Sequence, residues 1–263
     1  MYFSRRVAGE LIDALDQART IPSIVQRNPH FDVEAAYRVA ADIVRIRRAR
    51  GEQTIGRKIG FTNRNIWAEY GATAPIWAHV YDRTVQHATD GKATVSLKGS
   101  VQPRLEPEIA FKLKRVPRSS EVAELLTCID WMAHSVEIVQ CHHPDWKVTI
   151  ADCTADNGLH GRLVVGTSIP LQDAEKLPDV EARLFKAEEL KDRGVGANVL
   201  GSPLISLGYL VDLLQKQPDA EPLRAGEIIT TGVLTDAHPV APGETWRTEI
   251  SGLPLKGLTI TFR

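Results

Sequence analysis

The segment Arg104–Phe111, with the sequence RLEPEIAF, decides how the rest of this chain is interpreted. Its apolar residues are typical of a buried β-strand, yet it carries two glutamates, Glu106 and Glu108, two positions apart. Strand side chains alternate between faces, so both carboxylates point the same way. Such a pair is unfavourable unless a proton, a cation or open solvent relieves it. The segment alone leaves open an edge strand with a solvated acidic face or a site that compensates the charge.

A third glutamate stands in the middle of another strand-like run, residues 134–141 (HSVEIVQC). Burying the carboxylate of Glu137 there without a partner is costly. If this strand lies beside residues 104–111, the three carboxylates converge, and a hard divalent cation with oxygen ligands would compensate their charge. For Glu137 alone, a salt bridge to a lysine or an arginine is the alternative. The prediction of a metal site therefore depends on the three glutamates together.

Composition excludes several classes of function. The 263 residues are 43% apolar and 25% charged, with a net charge of −1, which is ordinary for a soluble globular protein. Without a strongly basic balance we expect no nucleic-acid partner. Since no apolar run approaches the roughly 18 residues needed to span a bilayer, and the N-terminus lacks a signal-like stretch, we expect no membrane partner and a cytoplasmic location.

Helical patterns precede strand patterns along the chain. Residues 4–18 carry apolar side chains at helical spacing, and Asp32 is a candidate N-cap for a second helix that Gly51 closes. From Thr54 onward short β-type runs dominate. Two further helices interrupt them, at residues 119–128 and 203–216. Because strands outnumber helices and do not alternate with them regularly, the pattern favours an α+β fold with a mixed sheet.

These patterns divide the chain into an N-terminal helical region, residues 1–53, and a mixed β-sheet catalytic domain, residues 54–263. One continuous domain is the alternative, because 263 residues can share a single core. The sequence has no long linker and no internal repeat that would mark a further boundary.

Taken in order, the motifs resemble those of one family. They are GRKIGFT, RLEPEIAF, HSVEIVQC followed by DWK, TADN, GSPL, RAGEIITTG and PVAPGETW. Together they are similar to the 2-keto-4-pentenoate hydratase and 4-oxalocrotonate decarboxylase branch of the fumarylacetoacetate hydrolase superfamily, from about Arg6 to the C-terminus. The resemblance implies a mixed β-sandwich roll with a Mg²⁺ or Mn²⁺ site and an N-terminal helical region packed against it.

The resemblance also implies residue roles. Glu106, Glu108 and Glu137 match the family's metal ligands, and glutamate rather than aspartate as the last of them favours this branch over the hydrolases. Lys58 matches the family's active-site lysine, which we expect to transfer a proton to or from the substrate. A surface lysine, or a simple partner to the glutamates, is the alternative for Lys58.

Four further residues are candidates for contacts with the substrate. Thr231 and Gly232 match the family's C-terminal loop and would hold the substrate carboxylate, unless they form only a turn after a buried strand. Arg57 would bind a second carboxylate, with a solvent-facing arginine as the alternative. After TADN the chain departs from the family with GLHG, which makes His160 a candidate acid, base or substrate ligand, or a packed loop histidine.

The leading functional expectation is a divalent-metal-dependent hydro-lyase of aromatic catabolism. It would add water to a 2-hydroxy-2,4-dienoate or 2-keto-enoate to give a 4-hydroxy-2-keto acid, with the cation as Lewis acid. The same motifs leave open a 4-oxalocrotonate-type decarboxylase and a non-catalytic partner subunit. The expected partners are a small 2-keto acid substrate and further copies of the chain, with a related enzyme of the same pathway as an additional option.

Overall fold

Helices and strands are mixed along the computed structural model, which describes residues 2–217 and 219–263. The α-helices are α1 (Tyr2–Gln17), α2 (Ile24–Arg27), α3 (Val33–Ala49), α4 (Trp67–Tyr70), α5 (Val122–Cys128), α6 (Ile150–Ala155) and α7 (Pro203–Gln215). The strands are β1 (Thr54–Gly60), β2 (Ile76–Tyr81), β3 (Val85–His87), β4 (Lys92–Val95), β5 (Arg104–Leu113), β6 (Ile129–Val139), β7 (His160–Val165), β8 (Ile169–Pro170), β9 (Glu181–Lys186), β10 (Glu189–Val195), β11 (Ile228–Val233), β12 (His238–Pro239), β13 (Thr245–Ser251) and β14 (Thr259–Phe262).

The strands form two sheets. The larger has the order β2-β1-β11-β5-β6-β7-β3, with β12 paired to β5 and β8 paired to β6. The smaller has the order β10-β9-β13-β14-β4. Both sheets combine parallel and antiparallel pairs, since β1 runs parallel to β11 and antiparallel to β2, and β14 runs parallel to β4 but antiparallel to β13. The expected α+β class with a mixed sheet is confirmed.

Strand β5, which contains RLEPEIAF, lies inside the larger sheet between β11 and β6. It pairs with β6 antiparallel, and the register sets Glu106 directly opposite Glu137. Glu108 is opposite Ser135, one step further along the same pair of strands. The alternative of a solvated edge strand is therefore excluded, and the two glutamate-bearing strands are neighbours as the metal prediction requires.

The N-terminal helices pack on one another through an apolar cluster that reaches α6. Its buried members include Val7, Leu11, Val39 and Ile43 from α1 and α3, and Ala151 from α6. The side chain of Asp32 accepts a hydrogen bond from the Ala35 amide at 2.8 Å, which confirms the predicted N-cap of α3.

Helix α7 belongs to the protein core. Residues 196–215, which include it, are long and apolar enough to cross a membrane, but about half of this stretch is buried inside the fold. Leu204, Leu207 and Leu210 of this helix pack in the same cluster as Phe111 of β5. This is the environment of a core helix in a soluble protein.

Asp152 in α6 ties the N-terminal helices to the rest of the molecule. Its fully buried carboxylate accepts hydrogen bonds from the amides of Ile24 at 2.7 Å and Val25 at 3.2 Å and from the Ser23 hydroxyl at 2.9 Å. It also accepts from the Thr149 amide at 3.1 Å and the Thr149 hydroxyl at 3.0 Å. One charged side chain therefore caps α2 and α6 together.

Replacing this buried cap should cost more stability than replacing an exposed one. We expect Asp152→Ala to lower the free energy of unfolding by about 3 kcal/mol or more, because several buried donors lose a charged acceptor. The matched control Asp32→Ala removes a solvent-exposed cap and should cost about 1 kcal/mol. Urea unfolding of both variants measures the difference, and equal losses would contradict the joining role of Asp152.

Candidate active site

A cavity of about 370 Å³ opens beside strands β1, β5, β6 and β11. Its walls carry charged, hydroxyl and aromatic side chains, among them Lys58, Thr62, Tyr70, Arg104, Glu106 and Trp146. A concave site with a few converging polar groups is the expected form of a small-molecule binding site.

The three predicted glutamates converge at this cavity. Glu106, Glu108 and Glu137 each offer a carboxylate oxygen, and these oxygens lie within 4.8 Å of one another. Glu108 and Glu137 are completely buried, while Glu106 lines the cavity. Among the described residues, Glu108 Oε1 has no hydrogen-bond partner. A buried, unpartnered carboxylate oxygen in an all-oxygen cluster fits a hard divalent cation.

The electrostatics of the three carboxylates differ. Burial, together with the charge on Glu137, raises the pKa of Glu106 to about 7, against the opposing effect of Lys58. Burial and the two neighbouring carboxylates raise the pKa of Glu108 well above its ordinary value. The pKa of Glu137 is lowered in spite of burial, because the Lys58 charge and a hydrogen bond with His160 stabilise its anion.

Lys58 lines the cavity beside the glutamates. Its Nζ is 3.1 Å from Glu137 Oε2, and only 4% of the residue is exposed. Burial alone would lower the pKa of Lys58, but the three carboxylates outweigh it and raise the pKa above its ordinary value. The backbone of Gly158, at a positive φ of 61°, passes next to the lysine stem, and a Cβ there would lie 3.4 Å from Lys58 Cδ.

His160 lies behind Glu137 and is not among the residues that line the cavity. Its Nδ1 is 2.7 Å from Glu137 Oε1 and its Nε2 is 2.8 Å from Thr84 Oγ1. Burial lowers the pKa of His160, so the ring is neutral and its single N–H faces the ionised carboxylate. The structure places His160 against Glu137, and a direct contact between His160 and substrate stays a prediction.

The predicted loop residues Thr231 and Gly232 are occupied by other contacts. The Thr231 hydroxyl donates to the Ile109 carbonyl at 2.8 Å, and the Gly232 amide donates to Glu108 Oε2 at 3.1 Å. Gly232 lines the cavity at a φ of 106°, and a Cβ would lie 1.9 Å from Thr62 Oγ1, so only glycine fits. An irregularity in the pairing of β11 with β5 turns the amide toward the glutamate. Contact of these two residues with a substrate carboxylate stays a prediction, and Gly232 is the one of the two that lines the cavity.

Arg57 does not reach the cavity. It precedes Lys58 on β1, and consecutive strand residues face opposite ways, so its guanidinium is buried on the other side. There it lies 4.9 Å from the Trp77 ring centroid and 3.7 Å from Glu227, and it donates to His79 at 2.7 Å. The side chain is enclosed and already paired, and the binding of a substrate carboxylate by Arg57 stays a prediction.

The sequence analysis missed several cavity residues, including Thr62, Arg104 and Trp146. Thr62 ends the motif GRKIGFT and is buried against Gly232. Arg104 begins RLEPEIAF and also lines the cavity. The period of two that paired Glu106 with Glu108 could have found Arg104, because it stands two residues before Glu106 on the same strand face.

Comparisons with known proteins agree with the motifs. The family model described as fumarylacetoacetate (FAA) hydrolase C-terminal matches residues 63–260. A 2-hydroxyhexa-2,4-dienoate hydratase from Comamonas testosteroni is 33% identical over 92% of this chain and 92% of its own length. A 2-keto-4-pentenoate hydratase from Pseudomonas putida is 28% identical over 94% of this chain and 90% of its own length.

A solved structure resembles the whole chain. The 4-oxalocrotonate decarboxylase from Pseudomonas putida, complexed with magnesium and adipate, superimposes with a TM-score of 0.92 at 27% identity, covering 100% of this chain and 98% of the other. Both the family model and the relatives span most of the described fold, including the glutamate-bearing strands. The chain belongs to the fumarylacetoacetate hydrolase family, in the branch of the 2-keto-4-pentenoate hydratases and 4-oxalocrotonate decarboxylases.

Proposed function

We propose that this protein is a divalent-metal-dependent hydro-lyase. It adds water to a 2-hydroxy-2,4-dienoate or the related 2-keto-enoate and forms a 4-hydroxy-2-keto acid. The observation that carries the proposal is the convergence of three carboxylates with a buried lysine beside one cavity, whose wall includes Glu106 and Lys58. The activities of the hydratase relatives support the choice of reaction.

Glu106, Glu108 and Glu137 would hold Mg²⁺ or Mn²⁺, and related structures contain magnesium or manganese. When bound, the cation supplies Lewis-acid polarisation of the keto and carboxylate oxygens of a 2-keto acid. The protein contributes the ligand geometry: paired strands fix Glu106 against Glu137, and the Gly232 amide fixes one oxygen of Glu108. The remaining Glu108 oxygen is free of protein partners among the described residues.

Lys58 is the proton carrier in this proposal. The surrounding carboxylates raise its pKa, so the resting side chain keeps its proton on Nζ. Nζ stands at the cavity wall beside the glutamates, where a 2-keto acid would place its reacting carbons. This arrangement favours delivery of a proton to substrate carbon over abstraction of one.

His160 acts through Glu137 in this proposal. Its imidazole holds one carboxylate oxygen, and Thr84 holds the imidazole from the other side. Groups that fix a metal ligand from behind set its orientation and its basicity. We therefore describe His160 as a positioning residue.

Several coarser features of the protein complete the proposal. We propose that the two sheets form the sandwich roll implied by the family, with residues 1–53 as the N-terminal helical region of a catalytic unit that spans residues 54–263. The buried network around Asp152 supports a rigid attachment of those helices. We also propose a cytoplasmic homo-oligomer that acts on a small 2-keto acid, on the ground of the family resemblance.

Product analysis tests the reaction. With Mg²⁺ and 2-hydroxypenta-2,4-dienoate we expect a 4-hydroxy-2-keto product that EDTA abolishes. Glu106→Gln keeps the side-chain shape but removes one anionic ligand, so it should abolish product while thermal unfolding without metal still shows a folded protein. Release of CO₂ from a 2-oxo-hexenedioate without hydration would move the assignment to the decarboxylase. No turnover of either acid and no response to Mg²⁺ would favour a non-catalytic partner subunit.

The raised pKa of Glu106 predicts a pH-dependent stability of the metal-free protein. A carboxyl whose pKa is about 7 in the folded state binds its proton more tightly than in the unfolded chain, so its contribution to stability falls as pH rises toward and through 7. We expect the melting temperature of the wild type, measured relative to Glu106→Gln, to fall between about pH 5 and pH 8.

Mg²⁺ should restore the stability that the wild type loses as pH rises. Because the metal competes with the protons on the carboxylates, its stabilisation of the wild type should grow over the same pH interval and be nearly absent in Glu106→Gln. Differential scanning fluorimetry with and without Mg²⁺ gives both quantities. A wild-type curve parallel to that of the variant at all pH values would contradict the assignment.

Removing the hydrogen bond behind Glu137 should weaken metal binding. We expect His160→Leu to lower the Mg²⁺ affinity by about 10- to 100-fold, as losses behind a ligand commonly do. His160→Asn should retain more of it, because its amide can still donate where Nδ1 does. Isothermal titration of Mg²⁺ measures both; unchanged affinity with impaired turnover would instead indicate that His160 contacts substrate.

A further inference from the structure

We infer that Arg104 and Trp146 form a subsite for a carboxylate at the far end of the substrate. The inference rests on the proposed function, in which the glutamate cluster and Lys58 take the 2-keto acid end. It deepens the proposed function by assigning the site a preference for 2-keto acids that carry a second carboxylate over those that lack one. The subsite selects the substrate and does not by itself choose between addition of water and loss of CO₂.

The first observation is the state of the Arg104 guanidinium. Arg104 and Trp146 both line the cavity, and the guanidinium carbon lies 4.0 Å from the Trp146 ring centroid. Among the described residues, no hydrogen-bond acceptor or carboxylate is paired with the Arg104 side chain. Besides Glu106, two acidic residues line the cavity, Glu69 and Asp236. Neither carboxylate lies within 4.0 Å of a guanidinium nitrogen of Arg104, so neither forms an ion pair with it. A stacked guanidinium with free donors is suited to bidentate binding of a carboxylate.

The second observation is that the tryptophan is held in place by a constrained loop. Trp146 donates from its indole Nε1 to the Gln102 carbonyl at 3.1 Å, and the Asp145 amide donates to the Gln102 side chain at 2.9 Å. The other end of that side chain donates to the carbonyls of Cys141 at 2.9 Å and His143 at 2.8 Å.

Backbone strain marks the same loop. Gln102, Asp145 and Trp146 adopt φ values of 50°, 56° and 58°, a left-handed conformation that is unfavourable for residues other than glycine. Such a conformation persists where surrounding contacts enforce it, and it clusters at ligand-binding sites. The hydrogen bonds to Gln102 supply that enforcement, and the result is an aromatic face presented to Arg104.

The third observation is spacing along β5. Arg104 stands two residues from Glu106 on the same strand face, so the rise between their Cα atoms is about 6.6 Å. This distance is comparable to the length of an extended six-carbon chain. A six-carbon acid with its keto end at the glutamates would therefore bring its other end to the guanidinium.

Two stable 2-keto acids that differ only at the far end test the inference. 2-Oxoadipate ends in a carboxylate and 2-oxohexanoate ends in a methyl group. Isothermal titration with Mg²⁺ present should show that the wild type binds 2-oxoadipate at least about tenfold more tightly. Arg104→Met should abolish that preference, so that it binds the two acids about equally.

Two further variants secure the interpretation. Arg64→Met is the matched control, because Arg64 also lies over a tryptophan, Trp67, at 5.8 Å, but already donates to Tyr209 at 2.8 Å. The Arg64→Met variant should keep the full preference for 2-oxoadipate over 2-oxohexanoate. Arg104→Lys keeps the charge without the planar fork and should retain part of the preference, which provides a readout if Arg104→Met does not fold.

The outcomes separate this inference from the proposed function. Equal binding of both acids by the wild type would overturn the carboxylate subsite and leave the 2-keto acid site intact. A loss of both acids in Arg104→Met would overturn it as well, because Arg104 would then bind the keto acid end. Failure of the wild type to bind either acid in a Mg²⁺-dependent manner would overturn the proposed function and this inference with it.

Discussion

The crowding of three carboxylates inside the sheet is the constraint on which the rest of the site depends. Their oxygens come within 4.8 Å of one another where β5 and β6 pair, and like charges at that distance oppose folding. The protein compensates part of this charge with the Lys58 ammonium group, the Gly232 amide and the His160 ring. Compensation is incomplete, because one ammonium group faces three acids. The remaining negative charge is what a divalent cation would neutralise.

Strand periodicity explains which predictions the structure confirms. Glu106, Glu108 and Glu137 could be placed together from the sequence, because a period of two sets the first pair on one face and the second strand needed only to be a neighbour. Applied to β1, the same rule separates Arg57 from Lys58, which the motif alone had treated as a unit. The α+β class and the Asp32 cap were likewise predictable, since both depend on local patterns.

Other features could not be predicted, because they depend on register and on contacts between distant segments. His160 reaches Glu137 through a shift in the pairing of β6 with β7, and no local pattern encodes that shift. The occupied hydroxyl of Thr231 follows from an irregularity in β11. No sequence pattern marked Asp152, whose carboxylate binds a backbone amide 128 residues away in the sequence.

The three glutamates are chemically unequal, and this follows from which strand carries each. On β6, Lys58 and His160 lower the pKa of Glu137, whereas burial raises the pKa of Glu106 and of Glu108 on β5, so a metal would compete with protons for those two carboxylates. One face of strand β5 therefore carries two acidic side chains at its middle and the guanidinium of Arg104 at its start. Among the described residues this guanidinium has no hydrogen-bond acceptor. A substrate lying along this strand would meet the metal-binding acids at one end and a cation at the other. A dicarboxylic 2-keto acid fits this arrangement, because a short apolar chain separates its keto acid end from its second carboxylate.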